Sequence, residues 1–262
     1  MRREPRPTIF DGRIKAGCLL GLLLFCCPLS SKANQPASRI LFRPELAFTR
    51  RVELIEKLRR ITGWAGLDFD GSGALQLGGK KSVGGSQSAR ELLATANAGR
   101  NVIVIEDASG RQDVVFCKVV EGRWKTDAEN KPPVFVVLVD FKDFSHVMGD
   151  KAALAAFNVG WGVLHEIEHV VNDSADPEGL GEAGECEAII NRMRRECGLA
   201  ERAEYFFTFL PGTTESAFMT RFVRIAFDQV SPGEKKKERH WLIWDASLVG
   251  GLEEQKVLAA RL

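Results

Sequence analysis

The stretch Trp161-Gly162-Val163-Leu164-His165-Glu166-Ile167-Glu168-His169-Val170-Val171-Asn172 decides how the rest of the chain is read. It holds the pattern H-E-x-x-H, which on a helix sets two imidazoles one turn apart with a carboxylate beside them. Val163, Leu164, Ile167, Val170 and Val171 recur at helical spacing. At about 100° per residue they fall on one side of the helix, and His165 and His169 fall on the other. The histidine face also carries Asn158, Gly162 and Asn172, so nothing bulky blocks it. The pattern predicts a helix packed on its back that presents a metal site from its front.

Immediately upstream, Asp150 is placed to N-cap a long helix over 151–172. Gly160 and Gly162 inside it cost about 1 kcal/mol each relative to Ala. Either a strand or substrate approaches closely there, or the core is tight. Further upstream, Val134 to Phe141 (VFVVLVDF) is the strongest strand signal in the chain. Asn101 to Glu106 and Asp113 to Val120 flank an Ala-Ser-Gly-Arg turn and read as a hairpin. Ser88 is placed to N-cap a helix ending at Ala98. Leu46 to Ile61 is apolar near helical spacing and stops around Gly63. The Gly-rich run around Asp68-Phe69-Asp70-Gly71 is turn chemistry, since it lacks the closing Glu of a calcium loop. Beyond the metal helix, Arg221 to Gln229 and Arg239 to Trp244 read as a second hairpin. Leu252 to Leu262 is a short helix candidate. The expected fold class is α+β: a small mixed or antiparallel sheet, then the H-E-x-x-H helix, then a second, ligand-bearing helix.

A catalytic zinc keeps three protein ligands and leaves its fourth position to water. His165 and His169 are two candidates, and Glu166 is placed to take a proton from that water without ligating. Glu168 lies on the other flank, where a solvent or salt-bridge role is expected. Asp173, Asp176, Glu178, Glu182, Glu185 and Glu187 compete for the third position. Residues 173–178 lie too close in sequence to swing back easily under the helix. A second helix from Glu182 to Cys197 offers carboxylates on a rigid element, so the expectation goes to Glu185, with Glu187 as the alternative. No third histidine follows at the H-E-x-x-H-x-x-G-x-x-H spacing. Tyr205, the single tyrosine, is the candidate oxyanion stabiliser, with His146 and His240 behind it.

His165-Glu166-Ile167-Glu168-His169 followed by a Glu-bearing helix resembles the gluzincin-type zinc metallopeptidases. Gly184-Glu185-Cys186-Glu187-Ala188 through Asn191, Arg194 and Gly198-Leu199 to Tyr205 is similar to the compact zincins found as effectors and as toxin domains in Rhs-repeat proteins. The resemblance spans roughly residues 158–205. It implies His165 and His169 as zinc ligands, Glu166 as general base and a second-helix glutamate as third ligand. It also implies that the strand before the active-site helix, Val134 to Phe141, pairs with an extended peptide or protein substrate.

The 262 residues are 45% hydrophobic and 27% charged, an ordinary globular composition. Residues 1–33 hold six Lys/Arg and two Asp/Glu, which leaves 30 basic and 33 acidic residues in the remainder. That mildly acidic body gives no electrostatic case for nucleic-acid binding. A basic n-region, the apolar run Ala16 to Leu29 and Ser31-Lys32-Ala33 read as a cleavable signal peptide over 1–33. The run is too short for a comfortable membrane span, so no stable span is expected after cleavage, and a secreted or periplasmic protein is expected. Residues 34–44 read as a linker and 45–262 as one zincin-like domain. Cys117, Cys186 and Cys197 remain after cleavage, an odd number that argues against a disulfide framework. The composite expectation is an exported zinc peptidase binding no other cofactor. The alternative is a non-catalytic metal-binding or interaction protein that keeps the H-E-x-x-H helix.

Overall fold

A computed structural model describes residues 38–79, 81–124, 130–179, 181–210, 221–230 and 236–250. The signal over 1–33, the first part of the linker and the tail helix over 252–262 lie outside the described residues. The chain is an α+β protein.

In chain order, strand β1 (Ile40–Phe42) leads to helix α1 (Phe48–Thr62), the short hairpin β2 (Asp68–Phe69) and β3 (Leu75–Gln76), and helix α2 (Gln87–Ala98). Strands β4 (Val102–Asp107), β5 (Cys117–Glu121) and β6 (Val134–Val139) follow. Then come α3 (Phe141–Ser145), β7 (Met148–Gly149), α4 (Lys151–Ala156), the metal-motif helix α5 (Val159–Asn172) and α6 (Gly184–Glu196). β8 (Glu201–Arg202), β9 (Thr208–Phe209), β10 (Phe222–Val230) and β11 (Lys237–Asp245) close the described chain.

Two sheets carry the fold. The first has the order β1-β4-β6-β5, with β1, β4 and β6 parallel and β5 antiparallel to β6. Residues 40–42, expected in a linker, are therefore its first strand. The expected hairpin of β4 with β5 does not form. β5 pairs instead with the far side of β6, Val119 opposite Val137, because Phe116 turns the chain at φ 62 just before it. β6 is consequently flanked on both sides and has no edge to offer a peptide; β1 and β5 are the edge strands. The second sheet is antiparallel, β7-β11-β10-β8 with β9 also on β10, and contains the expected C-terminal hairpin.

Helices α1, α2 and α5 bury Leu54, Leu58, Leu93, Val163, Leu164 and Ile167 against Ile103, Ile105, Val137 and Val139 of the first sheet. A second core gathers Ala153, Ala156, Val223, Phe227, Leu242 and Trp244 around the second sheet. The helix expected over 151–172 is broken in two. Phe157 leaves helical geometry (φ −135, ψ 104) and enters an aromatic cluster with Phe116, Phe144 and Phe227. Asn158 then restarts the chain as the N-cap of α5, accepting from the Gly160 N–H at 3.0 Å. Asp150 makes no cap bond; its carboxylate accepts from the Trp241 N–H instead. Likewise Ser86, not Ser88, caps α2, and the Ser88 hydroxyl donates to Glu196. The Asp70 side chain accepts from Ser72 and Ala74, closing the β2–β3 turn.

α5 is enclosed on nearly every side. Glu168, expected in solvent or in a salt bridge, is 1% exposed and accepts from the Asn172 amide. The glycines of α5 are sites of close approach. A Cβ on Gly160 would meet Lys57 and Ile61 of α1 at 2.8 and 2.9 Å. One on Gly162 would meet Cys117 Sγ of β5 at 2.8 Å and Phe144 Cζ at 2.9 Å. Gly162→Ala is expected to lower stability by about 1–3 kcal/mol, read from urea midpoints. Cys117→Ala in the same chain is expected to return part of the loss; no recovery would show that β5 does not press on Gly162.

Candidate metal centre

α5 holds His165 and His169 one turn apart, their rings edge to face with centroids 4.8 Å apart. The two Nε2 atoms point to one carboxylate, and it is that of Asp176. His165 Nε2 lies 3.2 Å from Asp176 Oδ1, and His169 Nε2 lies 3.5 Å from Asp176 Oδ2. Each ring is held from behind through its other nitrogen. His169 Nδ1 lies 2.6 Å from the Ser174 carbonyl oxygen, and His165 Nδ1 lies 3.3 Å from Glu187 Oε2. Bonds of this kind fix the tautomer of a metal-binding imidazole and leave Nε2 as the donor.

Asp176 reaches this place within seven residues of His169 because of Asp173. That residue adopts the left-handed conformation (φ 54, ψ 30) at the C-cap of α5, its N–H bonded to the His169 carbonyl. Short polar residues tolerate this conformation, and it reverses the chain at once. The next turn is locked by Pro177 against Gly184, where a Cβ would lie 2.4 Å from the proline ring. The expectation that the loop could not swing back fails on this one residue. The signal that could have found it is Asn172-Asp173 at the helix end, two residue types that favour a left-handed cap.

Glu185, expected as third ligand, is exposed and stands outside the cluster. α6 turns Cys186 and Glu187 inward instead. Glu187 is 1% exposed, but its oxygens are engaged: Arg194 donates to Oε1, and Arg202 Nη1 lies 3.2 Å from Oε2, the oxygen facing His165. It therefore supports His165 from behind. Tyr205 is at the site, stacked on His165, and its hydroxyl donates to Asp176 Oδ2 at 2.6 Å. His146 and His240 lie elsewhere; His240 sits 4.0 Å from Asp150. Glu166 is buried beside the pair, and its Oε2 accepts from the Val119 N–H of β5 at 2.8 Å.

No protein-family model matches this chain, and neither does any curated protein or solved structure.

Electrostatics follow from that geometry. Burial disfavours charge on His165, but its bonds to Asp176, Cys186 and Glu187 outweigh it and hold the pKa well above the imidazole range. His169 is pushed up to about 10, burial again opposing and Asp176 raising. Burial would raise Asp176, yet the two imidazoles and Tyr205 hold it well below the usual carboxylate range. Glu187 is likewise low, burial being overcome by Arg194, Arg202 and His165. Burial raises Glu166, with the two histidines and the Val119 N–H offsetting only part of it. Burial and the Asp176 carboxylate push the Tyr205 hydroxyl far up, so it keeps its proton.

The donor set suits a divalent metal: two imidazole nitrogens and a carboxylate, the ligand types zinc takes in catalytic sites. Cys186 Sγ is also near, 3.5 Å from His165 Nδ1, and one donor atom from each of His165, His169, Asp176 and Cys186 fits within 4.8 Å.

Removing one partner of a buried ion pair leaves a charge uncompensated, which costs about 3–5 kcal/mol. Glu187→Gln strands Arg194, which is 2% exposed. The expected result in chemical denaturation is a loss in that range. A loss below about 1 kcal/mol, the size of a surface pair, would contradict the pairing described.

Proposed function

We propose that this chain is a zinc-dependent hydrolase, most simply a peptidase, with His165, His169 and Asp176 as metal ligands and Glu166 as general base. The observation that carries the reading is the convergence of both Nε2 atoms on the Asp176 carboxylate, with both Nδ1 atoms held from behind. A bound zinc ion would supply Lewis acidity and a water acidified toward a pKa of about 7. Glu166 takes the proton from the attacking water and returns it to the leaving amine. The Val119 N–H fixes the carboxylate, and burial keeps its pKa up, closer to neutrality where proton exchange is efficient. Tyr205 orients Asp176 through its hydroxyl, and Glu187 orients His165. An extended substrate adding to the edge strand β5 would run its backbone past Glu166. The export signal read in residues 1–33 gives this activity a secreted or periplasmic setting.

One observation favours a second reading. If Cys186 joins the other three donors, four protein ligands close the shell, as in structural zinc sites. The chain would then be a metal-binding protein without hydrolytic activity. Cys186→Ser separates the two: unchanged zinc affinity supports the open site, and a loss of tenfold or more supports the closed one.

Asp176→Ala is expected to lower zinc affinity more than the roughly 10–100-fold typical of outer-shell changes, while Glu185→Ala leaves it unchanged. Retention of zinc by Asp176→Ala would overturn the ligand assignment. Glu166→Gln is expected to keep zinc and to cut peptide cleavage by about 10²–10⁴-fold; undiminished cleavage would remove Glu166 from the mechanism. Because Asp176 holds both imidazole pKa values up before an ion binds, zinc uptake near neutral pH is expected to release protons. Calorimetry in buffers of different ionisation enthalpy measures this, and zero release would contradict the raised imidazole pKa values.

A further inference from the structure

Beside α5 a cavity of about 210 Å³ opens onto His165 and Glu166. Four phenylalanines from separate segments share its wall: Phe116 before β5, Phe144 of α3, Phe157 after α4 and Phe207 before β9. Each is only half-buried, whereas Phe141 and Phe227 in the cores are sealed. The four rings therefore keep surface that a ligand can cover, and an apolar lining of this kind marks ligand sites. Phe116 takes its place in the wall at φ 62, a conformation bulky residues avoid. Its N–H donates to the buried Asp143 carboxylate at 3.0 Å, and its carbonyl accepts from the Asp140 N–H at 2.8 Å. Strain of this kind clusters at ligand sites.

The chemistry of the wall selects its occupant. Its charged residues Glu187, Arg194 and Arg202 pair with one another, and Glu166 accepts from the Val119 N–H. A charged side chain entering here meets groups that are already engaged, and desolvating it is costly. An uncharged ring meets other rings. The space exceeds the ~150 Å³ of an engineered apolar cavity that admits benzene. Edge-to-face packing, which aromatic rings prefer, is already present in the wall, where Phe116 stands 4.9 Å from Phe157.

We propose, building on the hydrolase reading, that this cavity is the ring-binding subsite of the metal centre and receives the side chain of a substrate phenylalanine. His165 and Glu166 belong both to the cavity wall and to the proposed centre. The residue whose ring fills the cavity therefore flanks the bond that is cut. Selectivity comes from apolar burial and ring packing, with no hydrogen bond to the side chain.

The test uses toluene and benzylammonium as probes on the full-length protein. By calorimetry toluene is expected to bind about tenfold or more tightly than benzylammonium, whose charge the cavity does not compensate. Val115→Trp, which fills the cavity from its wall, is expected to weaken toluene binding by about tenfold or more. A readout that needs no variant is the set of five tryptophan indole N–H resonances. Trp161 and Trp244 line the cavity and should shift with toluene, while Trp64, Trp124 and Trp241 stay in place. Benzylammonium binding as tightly as toluene, no toluene binding, or shifts confined to the other three tryptophans overturns the proposal. Peptide libraries separate it from the hydrolase reading. Phenylalanine beside the scissile bond is expected to raise kcat/KM about tenfold or more over alanine there, the worth of burying one such side chain. Cleavage without that preference removes the subsite and leaves the hydrolase. No cleavage, with toluene shifting Trp161 and Trp244, removes the hydrolase and leaves the ring-binding cavity.

Discussion

One buried carboxylate, Glu187, ties the metal-motif helix to both cores of the protein. A charge this deep costs several kcal/mol unless it is paired and hydrogen-bonded. Here two guanidinium groups and an imidazole surround it. Arg194 stacks at 5.4 Å over Trp161 of the first core and at 5.6 Å over Phe227 of the second, and it donates to the Ala156 carbonyl at the end of α4. Arg202 carries the same network to Tyr205, whose hydroxyl holds Asp176. The orientation of His165 therefore depends on residues from α4, α6 and the segment after it.

Rigidity of the site comes from enclosure. α5 is packed by α1, α2, α6 and the first sheet, and its glycines let α1 and β5 come closer than any side chain allows. β5 in turn supplies the Val119 N–H that fixes Glu166, so the proposed base is positioned by a strand and the two histidines by a helix. Functional groups borne on regular elements are held more tightly than those on loops. Asp176, the one loop residue among the proposed ligands, is stiffened by Pro177, by the Cys186 N–H bonded to the Ala175 carbonyl, and by Tyr205.

Much of this was legible in the residues. The spacing of Val163, Leu164, Ile167 and Val170 sets α5 and its histidine face, the unbroken apolar run VFVVLV sets β6, and alternation sets β10. Pairing was not legible for β4 and β5, because the Ala108–Arg111 turn looks like a hairpin connection. What redirects β5 is the left-handed Phe116, and that conformation rests on Asp143, 27 residues away in sequence. The third donor was hidden for a similar reason. Sequence proximity made Asp176 look unreachable, and only the left-handed Asp173 brings it back. Glu185 and Glu187 are equivalent as letters; which one turns inward follows from Arg194 and Arg202, whose approach is a tertiary fact. A cavity beside His165 and Glu166 takes aromatic lining from segments as far apart as Phe116 and Trp244, and no local pattern gathers them.

The central claim is that His165, His169 and Asp176 form an open three-ligand centre, with Cys186 held back. X-ray absorption of the zinc-loaded protein tests it most directly. The account predicts a shell of nitrogen and oxygen only, at about 2.0–2.2 Å. A sulfur scatterer at about 2.3 Å would place Cys186 on the metal, close the shell and contradict the hydrolytic reading.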